Sequence, residues 1–172
     1  VKDSLLVMQR MFARYRELVD TGHETEAQRY QLFGVRLDTS SSIRDVSVTP
    51  MGQAELDMGV NPRLVFIVRN AIDSAWEKWD LPKEWTERAR EWCSSVKIVV
   101  SGGFNTAKIS RFEKLDVPVD IYAVGSSLFA NDGPRVTDYT ADIAQVKIDG
   151  VWRAMSKVGR SRGDNPDLEK VS

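Results

Sequence analysis

The sequence predicts an α/β fold in which a parallel sheet with crossover helices is followed by a separate β-hairpin. Two β-branched runs, Val96–Val100 and Val119–Val124, flank a segment with apolar residues at helical spacing. A segment of this length suits the crossover helix of a βαβ unit. Further on, Asp149-Gly150 lies between alternating apolar residues, which is typical of a hairpin turn. Hydrophobic residues make up 42% of the chain and charged residues 28%, as in ordinary globular proteins.

The elements before the first β-branched run follow the same alternation of helix and strand. Asn61-Pro62 is a favourable helix start, because asparagine caps the helix and proline is tolerated at its first position. The other predicted elements are an amphipathic helix over Ser4–Leu18 with Ser4 as its N-cap, a short helix over Glu24–Tyr30, a buried strand over Leu32–Asp38, a core-facing helix from Pro62 that stops at Pro82, and a further amphipathic helix over Lys83–Trp92.

Composition excludes several functional classes. The 24 Lys and Arg residues against 25 Asp and Glu residues give a net charge of −1, which offers no electrostatic basis for binding nucleic acid or an anionic membrane. No apolar run approaches the roughly 20 residues that span a bilayer. The single cysteine, Cys93, excludes an internal disulfide framework and suits a reducing cytoplasm. Because the chain opens on Val1 and runs directly into a predicted helix, we expect a fragment or a processed product.

Small-residue loops follow both β-branched runs. They are Ser101-Gly102-Gly103 and Gly125-Ser126-Ser127. Loops at the carboxyl ends of parallel strands often hold phosphate groups, because their backbone N–H groups can approach an anion closely. The alternative is that both loops are tight turns that only end strands. Neither loop matches a dinucleotide-binding glycine motif or a P-loop, so both of those sites are disfavoured.

Arg36 and Asp38 lie on the same face at the end of the first predicted strand. Charged residues at the end of an apolar strand are costly unless they are paired or used. They could form an internal ion pair that closes a layer of a barrel. Alternatively, Arg36 offers a planar cation to a carboxylate or an aromatic ring, and Asp38 accepts hydrogen bonds from a sugar hydroxyl.

The remaining polar residues give weaker signals. His23 is the only histidine and is predicted to lie in a solvated loop. With one histidine and one cysteine, the chain has no zinc site of usual spacing, and we predict no metal site formed by the protein alone. Asp138 and Asp142 could hold a metal or a hydroxyl group, although acidic residues in loops are usually only solvated.

Six short motifs occur together in one order between Leu32 and Arg160. They resemble the C-terminal half of a nicotinate phosphoribosyltransferase, a type II phosphoribosyltransferase. The motifs are Gly34-Val-Arg-Leu-Asp-Thr39, Gly59-Val-Asn-Pro62, Val99-Val-Ser-Gly-Gly-Phe104, Tyr122-Ala-Val-Gly-Ser-Ser127, Asp138-Tyr-Thr-Ala-Asp142 and Lys157-Val-Gly-Arg160.

The resemblance implies part of an irregular, TIM-like (β/α) barrel over residues 32–140. Residues 1–31 match the family less clearly and are predicted from their apolar spacing to be a helical lead-in. Residues 141–172 would form a β-hairpin and polar tail of a separate β-rich layer. The implied reaction joins nicotinate to phosphoribosyl pyrophosphate and gives nicotinate mononucleotide and pyrophosphate. Mg²⁺ is expected with phosphoribosyl pyrophosphate, and many members of the family couple ATP hydrolysis.

The family's Arg-x-Asp motif falls on Arg36 and Asp38, which would act at the pyridine and the ribose. Its phosphate loops fall on the two small-residue loops described above. Many members continue with Ser-Gly-Asp, whereas Thr39-Ser-Ser41 follows here, so a second acid is missing. His23 is not in the motif of the family's phosphorylatable histidine. The resemblance places that histidine upstream, in a segment that we expect this chain to lack.

A partial barrel would leave strand edges open, so we expect a companion chain or a homo-oligomer. Two alternatives stay open: a phosphate- or partner-binding module without catalysis, and the related quinolinate-type enzyme.

Overall fold

The computed structural model describes residues 1–125, 127 and 143–155, and the chain divides into two compact units, 1–129 and 130–172. The first unit contains a three-stranded parallel sheet in the order β1-β2-β3. The predicted α/β class is therefore confirmed. The strands are β1 (Gly34–Leu37), β2 (Lys97–Val100) and β3 (Ile121–Tyr122), and the helices are α1 (Lys2–Asp20), α2 (Glu24–Ala27), α3 (Ala54–Asp57), α4 (Pro62–Asp73), α5 (Thr86–Ser94) and α6 (Thr106–Lys114).

Helix α1 begins earlier than its sequence pattern predicts. Its N-cap is Val1, and the Leu5 N–H donates to the Val1 carbonyl at 3.1 Å. The prediction that Ser4 caps the helix is therefore wrong, because Ser4 already lies within the first turn. The short helix after it is confirmed as α2 followed by a 3₁₀ turn over Gln28–Tyr30.

Helix α4 begins where the sequence predicts. The Asn61 side chain accepts the Leu64 N–H at 3.0 Å, and Pro62 occupies the first helical position. The helix stops at Asp73, however, and a 3₁₀ turn over Ala75–Lys78 replaces the predicted continuation to Pro82. The early stop has a packing reason, because the extended backbone at Trp79 lets its ring stack on Phe12 with centroids 5.0 Å apart.

In the described residues of the first unit, one apolar core joins the helices to the sheet. Phe12 of α1 lies at its centre and contacts four other aromatic rings, those of Tyr15, Trp79, Trp85 and Trp92. A second aromatic group, Phe104, Phe112 and Tyr122, packs α6 against β3. The middle strand β2 is the most buried, and Ile98 and Val100 are completely inaccessible to solvent.

Strand register places the carboxyl ends of β1 and β2 side by side. Leu37 pairs with Val100, so Asp38 and Ser101 are the residues that leave the sheet together. β1 is shorter than predicted, and its residues are half-buried or exposed rather than fully buried, because β1 pairs with one strand only. β3 is also shorter than the predicted Val119–Val124 run.

Arg69 of α4 fastens that helix to the start of β2. Its guanidinium donates to the Val96 carbonyl at 2.7 Å and to the Cys93 carbonyl at 3.3 Å, and it pairs with Asp73 at 2.7 Å. At the start of β3, Asp120 accepts the Ile98 N–H at 2.8 Å and pairs with Lys97 at 2.9 Å. These contacts fix the amino ends of β2 and β3. The residues that follow the carboxyl ends of these strands therefore begin from defined positions.

The second unit contains the predicted hairpin, formed by antiparallel β4 (Gln145–Ile148) and β5 (Val151–Ala154). Asp149 and Gly150 form its turn with φ angles of +50° and +78°. Positive φ at both central residues is the geometry that the Asp-Gly sequence favours. The predicted polar tail from Ser161 lies outside the described residues.

Within the described residues, the sheet has three strands and two open edges, and these strands do not close into a barrel. Among the same residues, no helix is both long enough and apolar enough to cross a bilayer.

Candidate functional site

The ends of β1 and β2 are joined by a hydrogen bond between two of the predicted site residues. The Ser101 hydroxyl donates to Asp38 Oδ1 at 2.7 Å and lies 3.0 Å from the Leu37 carbonyl oxygen. That carbonyl also accepts the Ser101 N–H at 2.9 Å. Ser101 is 6% exposed, so its hydroxyl is a buried group that orients the Asp38 carboxylate at the edge of the sheet.

Arg36 and Asp38 form an ion pair on the surface. Arg36 Nη2 lies 2.9 Å from Asp38 Oδ2, and the two side chains are 61% and 51% exposed. The pair is therefore not an internal ion pair of a barrel layer in this structure. One carboxylate oxygen of Asp38 faces the guanidinium and the other faces Ser101, so the carboxylate is held from two sides while it stays accessible to a ligand.

The loop after β2 has a backbone suited to an anion. Gly102 and Gly103 have φ angles of +89° and +68°, a region that residues with a Cβ rarely adopt. From Gly102 to Ala107, none of the six backbone N–H groups donates to an acceptor in the described part of the chain. Consecutive N–H groups without partners, in a loop that leads into a helix, are a recurrent anion-binding arrangement.

Lys108 lies beside this loop, and the sequence reasoning missed it. Its ammonium group donates to the Gly102 carbonyl at 3.1 Å and lies 4.1 Å from the centre of the Phe104 ring. Burial lowers the pKa of Lys108 below its ordinary value. A signal was present in the sequence, because Asn105 caps α6 and a lysine follows within the first turn, where acidic residues are favoured.

Strand β3 brings the start of the loop that follows it, at Gly125 and Ser127, next to the loop after β2. The Ser127 hydroxyl donates to the Phe104 carbonyl at 2.8 Å, so the loop after β3 touches the loop after β2. Gly125 is exposed and has open space around its Cα. Ser126, together with Asp138 and Asp142, lies outside the described residues.

The long connection after β1 is organised by Asp57, another residue that the sequence reasoning missed. Its buried carboxylate accepts the N–H groups of Met51 and Gly52 at 2.8 and 2.9 Å, and Arg63 donates to it at 2.8 Å. Burial alone would raise the pKa of Asp57, but these donors hold it below its ordinary value. Gly59, with φ +63°, follows this turn and packs against the backbone of Ser41, just after Asp38.

The other polar residues singled out from the sequence lie apart from this cluster of contacts. The His23 ring bonds the Thr21 hydroxyl at 3.1 Å and is exposed. Cys93 is a free, buried cysteine, and burial raises the pKa of its thiol to about 12. In the described ranges 1–125, 127 and 143–155, no three His, Cys, Asp or Glu side chains are grouped so that they could hold a metal ion.

An open cleft of about 420 Å³ lies at the other end of the sheet, near the amino ends of β1 and β2. It is lined by Phe33, Trp92, Arg88 and Lys97 among others. A larger open cleft, of about 760 Å³, is lined by Leu56 and by residues of α6 and its end. Neither cleft is lined by Arg36, Asp38 or the Ser101–Gly103 loop, so cavity size does not locate the site. We place the candidate site at the carboxyl ends, where the polar side chains converge.

Comparison of this chain with protein-family models, with curated proteins and with solved structures found no match.

Proposed function

We propose that this chain supplies the ribose- and phosphate-binding part of a nicotinate phosphoribosyltransferase-like site. The reaction is transfer of a phosphoribosyl group from phosphoribosyl pyrophosphate to nicotinate, with release of pyrophosphate. In this proposal the three parallel strands are a portion of the irregular (β/α) barrel that the sequence motifs resemble, and the hairpin belongs to a separate β-rich layer.

One observation carries the proposal: three parallel strands bring Arg36 and Asp38, the Ser101–Gly103 loop, and Gly125 and Ser127 to the same end of the sheet. The Ser101–Asp38 bond of 2.7 Å joins the first two strands, and the Ser127–Phe104 bond of 2.8 Å joins the last two. A guanidinium suits a pyridine carboxylate, and a carboxylate suits a ribose hydroxyl. A loop whose N–H groups have no acceptor among the described residues suits a phosphate.

The proposed chemistry depends on positioning and electrostatics. Loss of pyrophosphate builds positive charge on the ribose ring, and the Asp38 carboxylate would stabilise that charge and accept a ribose hydroxyl hydrogen. The exposed, planar guanidinium of Arg36 would bind the carboxylate or the ring of nicotinate. The glycine loop would fix the phosphate, so that the ribose C1 atom faces the ring nitrogen.

The residues at this edge suit Mg²⁺ only as a companion of the substrate. Asp38 is the carboxylate of the ion pair at the strand ends, and Thr39-Ser-Ser41 follows where a second acid would stand. Mg²⁺ commonly takes one or two carboxylates, several waters and substrate phosphates. Asp38 would thus be its protein ligand, and pyrophosphate oxygens would complete the shell. ATP coupling also belongs to the proposal.

The proposal includes a companion chain or a second copy, in the cytoplasm. The two open sheet edges and exposed apolar side chains such as Phe33, 69% exposed, would be covered in such an assembly. We expect light scattering of the purified protein to give a mass above that of one chain. A cooperative thermal transition in a strictly monomeric sample would contradict this expectation.

The test is to measure nicotinate mononucleotide formed by the assembled protein from nicotinate, phosphoribosyl pyrophosphate and Mg²⁺, with and without ATP. We expect Arg36→Ala and Asp38→Ala each to lower kcat/KM by at least about a hundredfold, the scale of losing a transition-state contact. Stability should change little in Arg36→Ala, since exposed ion pairs contribute about 0–1 kcal/mol. Asp38→Ala also removes the hydrogen bond from Ser101 and should cost about 1–2 kcal/mol, so folding of that variant is verified by circular dichroism. Arg10→Ala, an exposed arginine of α1, is the matched control.

The outcomes separate the alternatives. Unchanged turnover in both variants would mean that Arg36 and Asp38 have no part in the reaction. Turnover of quinolinate in place of nicotinate would identify the quinolinate-type enzyme. Binding of phosphoribosyl pyrophosphate without any turnover would identify a phosphate-binding module without catalysis.

A further inference from the structure

Lys108 occupies a position where a cation is unfavourable. It lies in the first turn of α6, where the helix dipole places partial positive charge. The other basic residues of this helix, Arg111 and Lys114, lie in its last turn, where the dipole favours them. No acidic residue accompanies Lys108 in the first turn. The arrangement therefore concentrates positive charge beside the glycine loop.

Among the residues that the structure describes, none supplies a counter-charge to the Lys108 ammonium group. Its contacts are the Gly102 carbonyl oxygen at 3.1 Å and the face of the Phe104 ring at 4.1 Å. Within the described ranges, no carboxylate lies within 4.0 Å of Nζ. Desolvation of the half-buried side chain lowers the pKa of Lys108 below its ordinary value.

The ammonium group is nevertheless held in place. Gly102 follows Ser101, whose hydroxyl bonds Asp38 at 2.7 Å, and the Phe104 carbonyl accepts the Ser127 hydroxyl at 2.8 Å. Lys108 thus contacts Phe104, which bonds the loop after β3, and Gly102, which directly follows the serine that bonds the end of β1. An ammonium has three N–H groups, and the Gly102 carbonyl accepts one of them. Within the described part of the chain, the other two N–H groups have no hydrogen-bond acceptor and can serve a ligand.

We propose that Lys108 binds the phosphate group of a sugar-phosphate ligand held at the Ser101–Gly103 loop. This inference rests on the proposed function, which assigns the same loop to phosphate, and it adds the cation that neutralises the ligand. Lysine is suited to this role, because its compact charge adapts to the tetrahedral oxygens of a phosphate.

A purely structural role would give different behaviour. If Lys108 only supported the loop through Gly102 and Phe104, its replacement would lower stability and leave phosphate affinity nearly unchanged. Methionine keeps an unbranched apolar stem against the Phe104 ring and removes the charge. Lys108→Met therefore separates the two roles.

The experiment measures binding by isothermal titration calorimetry with the full chain in its native assembly. The probes are ribose 5-phosphate and inorganic pyrophosphate, with unphosphorylated ribose as the comparison. The variants are Lys108→Met and, as matched control, Lys114→Met, which removes the same charge from the exposed far end of α6. Circular dichroism and thermal melting verify folding, and Lys108→Gln repeats the comparison with a polar side chain.

We expect Lys108→Met and Lys108→Gln to weaken binding of at least one phosphate probe about tenfold or more, as for loss of a charge-assisted hydrogen bond. Lys114→Met should stay within about twofold, because its charge is exposed and screened. The probe that loses affinity shows whether Lys108 holds the ribose phosphate or the pyrophosphate.

Two results would overturn the inference: equal affinities in the Lys108 and Lys114 variants, or a wild-type protein that binds neither phosphate probe. Failure of the proposed function gives a different result. If the wild type binds ribose 5-phosphate through Lys108 but forms no nicotinate mononucleotide, the phosphoribosyl transfer is wrong and the role of Lys108 stands.

Discussion

Replacing Ser101 by alanine perturbs the hydrogen bond that joins the carboxyl ends of β1 and β2. The change removes one buried hydroxyl, which lies 2.7 Å from Asp38 Oδ1 and 3.0 Å from the Leu37 carbonyl oxygen. It leaves the backbone bond from the Ser101 N–H to the same carbonyl, at 2.9 Å. The effect therefore falls mainly on the orientation of Asp38.

The size of the effect follows from the exposure of the two partners. A hydrogen bond to a charged group contributes about 1.5–3 kcal/mol when its partner is buried. The Asp38 side chain is 51% exposed and can be solvated again when the hydroxyl is lost, so we expect a value near or below the lower end of that range. We predict that Ser101→Ala lowers the free energy of unfolding by about 1–2 kcal/mol.

A double-mutant cycle isolates the contact itself. Urea unfolding at neutral pH is measured for the wild type, Ser101→Ala, Asp38→Ala and the double variant. We expect a coupling free energy of about 1 kcal/mol between the two residues. With a typical urea m-value, the single Ser101 variant should shift the unfolding midpoint by about 0.5–1 M.

A control pair shows whether the cycle reports contact. Glu91 is exposed and lies at the cleft near the start of β2, so Ser101→Ala and Glu91→Ala should be additive within about 0.5 kcal/mol. If the Ser101–Asp38 coupling is no larger than that of the control pair, the two strand ends do not meet in solution and the geometry of the candidate site is refuted.

Three further predictions concern the loop, acid stability and the buried thiol. Gly102→Ala should destabilise the protein by about 1 kcal/mol because its φ is +89°, whereas Gly125→Ala, with no positive φ and open space, should be neutral in the same urea assay. The lowered pKa of Asp57 contributes stability above about pH 4 that is lost as pH falls through its folded-state pKa, so Asp57→Asn should flatten the dependence of the urea midpoint between pH 6 and pH 3. Cys93, whose pKa burial raises to about 12, should resist an aromatic disulfide reagent at pH 8 and react at once in urea; rapid reaction of the folded protein would contradict its burial.

Local sequence signals predicted the features that depend on neighbouring residues. Asn61-Pro62 starts α4, because the cap and the first turn lie within four residues of each other. Asp149-Gly150 forms the hairpin turn because the turn itself needs positive φ at two adjacent positions. The strand–helix–strand order from β2 to β3 follows from apolar periodicity alone.

Element ends and contacts between distant residues depended on packing. Helix α4 stops at Asp73 because Trp79 reaches Phe12, a residue sixty-seven positions earlier in the chain, and no local pattern contains that contact. For the site, the sequence identified Arg36, Asp38 and the Ser101 loop as separate motifs. It did not identify Lys108 or Asp57, whose roles come from the groups that surround them.

The sequence by itself determined that the chain alternates helix and strand and that polar motifs follow its strands. Both properties depend only on the spacing of residues that are close together in the sequence. Only the tertiary structure decided that the motifs meet, through the parallel register that sets Asp38 beside Ser101. It also decided that Lys108 is a desolvated cation beside the loop, because burial and the absence of a nearby carboxylate in the described residues are properties of the fold.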